Sequence, residues 1–360
     1  MSDRAKSLTG AINRRNLLRS TAALGALPLL GGAATRALAA NTTVNLGCWG
    51  GVFEKGLLEM SPGVAENTGV DLALNVGGSQ VTLAKLKASP GNPPFDAVMM
   101  TAEAMRGAEK EGLLSPVTEA ELPNLTRIQP RLLDPFKVDG GYTTIPLHWK
   151  AMGILWREDL VPFEITSWKD LWRPELKNRI SVQNMPTLGG ALMLMTANRI
   201  NGGTAGDMEP GWEAMKELKP NVREFFSVSS NALASLAAGD TWVTINTLDL
   251  GLPMADRGVK ATVPVEGVNY SPEGFAIPKG AAEREAALRF INYMLEPEQQ
   301  ITWCSAVHTA PATDVAVPPE LASNIVETDA VLEKLFDIDF MEMADNMAAW
   351  SDRWRREIAG

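Results

Sequence analysis

The chain has 360 residues, with 33 basic side chains against 43 acidic ones, a net charge of −10, two cysteines and two histidines. A surface this acidic repels phosphate backbones and speaks against nucleic-acid binding. Cys48 and Cys304 make no disulfide framework, though one pairing stays open, and with only His148 and His308 there is no zinc or iron–sulfur cluster, so neither metal nor cofactor is expected.

Residues 1–40 have the three parts of a secretory signal. A basic start reaches Asn13-Arg14-Arg15-Asn16-Leu17-Leu18, an apolar stretch runs from Leu17 to Ala34, and small residues close it at Ala37-Leu38-Ala39-Ala40. The paired arginines before two leucines point to the twin-arginine route, with cleavage after Ala39 or Ala40. The stretch is short and broken by Arg19 and Pro28, whereas spanning a bilayer takes ~20 apolar residues. Without it, 27 basic residues face 42 acidic ones; a net charge of −15 suits a freely soluble protein and mildly favours cationic ligands. What remains, about 320 residues, exceeds what one hydrophobic core organises, so two lobes are expected.

Thr43 to Gly47 reads as a strand closed by Trp49-Gly50-Gly51, and Glu54 to Thr68 as a helix stopped at Gly69. Val70 to Val76 alternates as a strand. Gly77-Gly78-Ser79 then turns the chain into a helix from Val81, ended by Pro90-Gly91-Asn92-Pro93-Pro94. The apolar run Phe95 to Met100 suits a buried parallel strand, with a helix from Ala102 to Glu111 behind it. Strands alternating with helices predict an α/β layer. Tyr142 to Pro146 and Ala151 to Trp156 read as two extended segments around His148-Trp149-Lys150, and Thr166 or Ser167 caps a helix at Trp168. The strand Arg179 to Val182 leads through Asn184-Met185-Pro186-Thr187 into an apolar helix, Gly190 to Arg199. A further αβ unit runs from Ala232 to the strand Trp242 to Asn246; Gly258 to Val265 and Phe275 to Pro278 are extended. Glu283 to Leu295 is an amphipathic helix, and the tail from Val331 to Ile358 reads as helical.

This order implies one lobe, a crossing near residues 146–153, a second lobe and a return near 265–275. The expected division is 41–147 with 272–325, then 148–271, then a C-terminal helical segment, 326–360, packed on both.

Five phrases carry a resemblance. They are Trp49-Gly50-Gly51; Phe95-Asp96-Ala97-Val98 with Glu111-Gly112-Leu113-Leu114; and Thr166-Ser167-Trp168-Lys169-Asp170-Leu171-Trp172. Next comes Gly274-Phe275-Ala276-Ile277-Pro278-Lys279-Gly280-Ala281 with Phe290-Ile291-Asn292-Tyr293-Met294-Leu295-Glu296-Pro297-Glu298, and last Trp350-Ser351-Asp352-Arg353-Trp354-Arg355-Arg356-Glu357-Ile358. In this order the chain resembles the extracellular solute-binding proteins of ABC importers, in particular the spermidine/putrescine-binding group. The resemblance implies an α/β, two-lobed type 2 periplasmic-binding-protein fold, each lobe a mixed sheet flanked by helices, with a two-segment hinge. It implies a polyamine or amine-like solute held by aromatic faces and carboxylates, which is cation–π attraction plus charge-assisted hydrogen bonding. Trp49 matches the first aromatic position and Glu273 an acidic one, while Thr247 stands where the family places a tryptophan.

Residues after strand ends and at helix starts are the ligand-binding candidates: Trp49, Gly50, Ser79, Gln80, Thr101, Trp149, Asn184, Thr187, Thr247, Asp249, Tyr270 and Glu273. Free N–H groups at Gly78-Ser79-Gln80 and Asn184-Thr187 also suit an anion. Closing lobes strip water from the solute and strengthen each polar contact. The partners implied are a small solute and the membrane permease of an ABC importer, with the protein a monomer. Two rivals stay open: a binder of an anionic or zwitterionic solute, and an exported enzyme, for which no phosphate loop, His-Glu motif or Gly-x-Ser-x-Gly elbow speaks.

Overall fold

The computed structural model describes residues 41–360; the signal expected over 1–40 lies outside them. The first strand, Thr42–Cys48, buries Val44, Leu46 and Cys48 and exposes Thr43 and Asn45, the alternation of a strand with one covered face. The helix Val52–Thr68 stops where Gly69 turns left-handed at φ 68°, its N–H bonding the carbonyl of Ala65. Strand Val70–Val76 returns parallel to the first, in register from Thr42 opposite Val70 to Cys48 opposite Val76. Helix Ser79–Ala88, strand Ala97–Thr101 and helix Ala102–Lys110 extend the alternation.

One sheet organises these elements. From one edge its order is Val70–Val76, Thr42–Cys48, Ala97–Thr101, Asn269–Pro278, Ile145–Arg157, Val243–Thr247, Ile180–Gln183 and Val222–Phe226. Three strands at each end are mutually parallel. The two long central strands are antiparallel and join the wings. Ile145–Arg157 pairs with Asn269–Pro278 as far as Met152, and from Met152 onward with Val243–Thr247 on its other edge. The two extended segments expected around His148-Trp149-Lys150 are thus corrected to one uninterrupted strand of 13 residues. His148 and Lys150 do not break it, because both side chains find polar partners on one face.

Helices Glu209–Leu218 and Pro297–Val307 lie where no helix was expected. The tail is helical only over Asp329–Leu332 and Phe340–Glu357; between them Lys334 and Phe336 bond the backbone of Val268 beside the second central strand. Indoles fill the core. Trp168, Trp212, Trp303 and Trp354 are nearly inaccessible, and Trp168, Trp303 and Trp354 each direct the ring N–H at a protein acceptor, as buried indoles must. Cys48 and Cys304 are buried and unpaired, with burial pushing their thiols up to about 11 and about 12. No helix among the described residues is long and apolar enough to cross a membrane.

The central pairing slips at one point: Glu273 lies opposite His148, but Gly274 opposite Pro146. The bulge brings backbones so close that a Cβ at Gly274 would sit 2.0 Å from the Ile145 carbonyl oxygen and 2.7 Å from the Leu147 nitrogen. Gly274→Ala is therefore expected to cost about 2 kcal/mol, read as a lower urea midpoint, because rigid backbone must move apart.

Candidate ligand site

Side chains opposite each other on an antiparallel ladder share a face, so His148 with Glu273 and Lys150 with Ser271 form one patch on the central strands. His148 is fully buried between Phe53, at 5.8 Å between ring centroids, and Trp303. The Trp303 Nε1–H lies 3.1 Å from His148 Nδ1, and His148 Nε2 lies 2.9 Å from Glu273 Oε2. An indole N–H can only donate, so Nδ1 accepts and the ring proton sits on Nε2, donated to the carboxylate. The other oxygen, Glu273 Oε1, accepts from Ser271 Oγ at 3.2 Å. Burial pushes the Glu273 carboxyl up, but the His148 bond, the Lys150 charge and the Ser271 bond together hold it below the usual range. Glu273 is a fixed, ionised anchor.

Around it stand two more carboxylates. Lys150 Nζ lies 3.4 Å from Asp249 Oδ2, while the buried Asp249 Oδ1 has no hydrogen-bond partner. Thr101 Oγ1 donates to Glu103 Oε1 at 2.6 Å, and the buried Glu103 Oε2 is also unpartnered. Burial raises the Glu103 carboxyl, with the Glu273 charge adding to it and the Thr101 bond opposing. Trp49 is half-buried and packs edge-on against Phe53 at 4.9 Å, so Trp49, Phe53, His148 and Glu273 form a continuous row. The Ser79 hydroxyl oxygen accepts from Trp49 Nε1 at 3.0 Å and from Thr101 N at 3.1 Å, tying three strand ends together. With its oxygen so used, that hydroxyl keeps a proton to donate.

The expected residues divide accordingly. Trp49, Ser79, Thr101, Asp249 and Glu273 gather near the patch; Thr247 ends the strand opposite Met152, half-buried. Gly50 packs close to Val76, and Gln80 is exposed. Trp149 and Tyr270 are corrected away from it. Trp149 is one residue from His148 and Tyr270 three from Glu273, odd spacings on a strand, so each projects from the opposite face. Trp149 lines a separate hollow of about 560 Å³, and Tyr270 packs edge-on against Phe340 at 5.7 Å. Asn184 and Thr187 are engaged structurally: Asn184 Oδ1 accepts from Trp354 Nε1 at 2.8 Å, and Thr187 caps the helix Leu188–Ile200 through Gly190 N.

Glu103, Lys150, Ser271 and Glu327 were not anticipated. Reading Ile145 to Arg157 as one strand places His148 and Lys150 on one face and exposes that part of the patch. Glu327 had no such signal. It comes from the C-terminal segment, is buried, and its Oε1 accepts from Ala151 N at 2.6 Å. Ala310–Pro311 pairs with Trp149 and His148, and Val243–Thr247 with Met152 onward; the carboxylate fills the gap left on that strand edge. No group of three His, Cys, Asp or Glu side chains among the described residues is placed to hold a metal.

Among known proteins, the chain is 28% identical over 290 residues to a spermidine/putrescine-binding periplasmic protein of Salmonella typhimurium, covering 78% of this chain and 80% of that one. It is 26% identical over 364 residues to a putrescine-binding periplasmic protein of Pseudomonas aeruginosa, covering 93% and 97%. The crystal structure of an ABC transporter protein from Clostridium perfringens superposes with a TM-score of 0.79 at 24% identity, over 88% of this chain and 99% of that one. The architecture is that of the type 2 periplasmic binding proteins. With the profile for bacterial extracellular solute-binding proteins matching residues 64–330, the chain belongs to that family.

Proposed function

We propose that this protein captures a small amine-bearing solute in the periplasm and hands it, chemically unchanged, to an importer permease. The solute's ammonium group sits against Glu273 with the Trp49 indole as a wall, and Ser79, Thr101 and Asp249 complete the contacts. The observation that carries this reading is the excess of carboxylate: Lys150 acts on Glu273 and Asp249, Glu103 lies near Glu273 with no cation against it, and Asp249 Oδ1 and Glu103 Oε2 are buried without partners. A buried unpaired acceptor costs roughly 1–3 kcal/mol, which an arriving N–H donor removes. The spermidine- and putrescine-binding relatives support an amine. Residues 41–147 with 272–325 act as one lobe and 148–271 as the other, flexing on the two central strands, and the exported protein works as a monomer.

Thermal unfolding with putrescine, spermidine and amine-free carboxylates tests this. Amines are expected to stabilise by about 2.7 kcal/mol at a hundredfold excess over Kd, with amine-free carboxylates inert. Stabilisation by amine-free carboxylates alone overturns the amine reading. Trp49→Ala should weaken amine binding about tenfold, the scale of a partly desolvated cation–π contact.

A further inference from the structure

Lys150 is the one cation drawn into the carboxylate patch by a close contact among the described residues, and its ammonium is poorly used. Its single polar partner is Asp249, at the long distance of 3.4 Å, and its side chain is 17% exposed. An ammonium has three donors. Two are therefore left for something else, at the centre of the first central strand where the two wings of the sheet meet. Lys150 is two residues from His148 on the same face, so it stands about 7 Å along the strand from the residue that orients Glu273. The patch is thus dipolar along that strand. One end is the His148-oriented Glu273 carboxylate beside the aromatic row; the other is an ammonium with spare donors, backed by Asp249, whose Oδ1 is buried without a partner.

A linear diamine lying along this face would bring its second ammonium against Lys150. Two like charges brought that close repel, and more strongly in a part-buried site than in water. A solute with a carboxylate at that end meets the spare donors instead, in a charge-assisted bond. We infer that Lys150 sets the substrate class as a short linear amino acid, its amine on Glu273 and its carboxylate on Lys150, and makes the site discriminate against diamines. This rests on the amine reading given above and adds the chemistry of the solute's far end. The discrimination is partly repulsive, which is how specificity between near-isosteric ligands is commonly built.

Calorimetric titration of the full mature chain with matched pairs tests it: unbranched ω-amino acids and α,ω-diamines of equal length, from about three to six carbons, with the amine-free carboxylate as a third arm. The wild type is expected to bind the best amino acid at least about tenfold more tightly than its matched diamine. Lys150→Met should weaken the amino acid at least about tenfold and strengthen the diamine, inverting the preference. Lys150→Arg should keep the wild-type order. Lys150→Gln, which removes the charge but keeps a polar side chain, decides the matter if Lys150→Met does not fold: the same inversion is expected, and an unchanged preference overturns the inference. A wild type that prefers the diamine, or a preference unchanged in Lys150→Met, overturns the inference and leaves the amine reading intact. Equal binding of the amino acid and its amine-free carboxylate instead overturns the amine reading, while the role of Lys150 stands.

Discussion

Glu273→Gln is expected to weaken binding of an amine solute about a hundredfold without unfolding the protein, the scale of losing one charge-assisted hydrogen bond in a dry site. The exchange is close to isosteric and the surroundings tolerate it. The glutamine carbonyl oxygen can accept the His148 Nε2–H now held at 2.9 Å, and its amide can donate to Ser271 Oγ, which now donates to Oε1 at 3.2 Å. Only the charge is removed. Calorimetry gives the affinity and a urea midpoint gives the stability. Unchanged affinity in a folded variant would show that the ammonium rests elsewhere, Asp249 being the next carboxylate in the patch.

Glu327→Gln is expected to flatten the protein's stability between pH 5 and pH 7. Burial, with the nearby Asp249 charge adding, lifts the Glu327 carboxyl from 4.5 to about 7 against the backbone bonds it accepts. The unfolded chain releases this proton near 4.5 and the folded protein near 7, so between those values the folded state holds more protons. Stability therefore falls as pH rises through that window, by about 3 kcal/mol in total, and is level above it. A glutamine keeps an acceptor for the Ala151 N–H but cannot ionise. Urea midpoints measured from pH 5 to pH 8 should decline for the wild type and lose that decline in the variant. Parallel profiles for the two proteins would mean that Glu327 stays ionised throughout, despite its burial.

How much of this was legible follows from the range of each interaction. The helix stop at Gly69 and a cap at Thr166 or Ser167 are written in a few neighbouring residues; the structure has the stop and takes Ser167 as the cap, adding a reciprocal bond to Asp170. The alternation of strand and helix through residue 110 is likewise local, since each element announces its own period. Glu273 was legible from the phrase that follows it. Its environment was not: His148 is 125 residues away, and the indole that sets its proton is a further 155 residues from His148. Trp149 was misplaced because a stretch read as two segments hides the phase of the strand, and Tyr270 because its strand, expected from Phe275, begins at Asn269; one residue of phase moves a side chain to the opposite face.

The sequence by itself determined the fold class, the acidic character and the presence of an aromatic and a carboxylate at strand ends, because periodicity, charge and turn chemistry act between residues close in the chain. Only the tertiary structure decided which of those residues meet. The central ladder sets His148 against Glu273 and Lys150 against Ser271, and the C-terminal segment carries Glu327 back to Ala151 across 176 positions. The reason is physical: pairing across a sheet depends on register and on which strands become neighbours, and no local pattern encodes either.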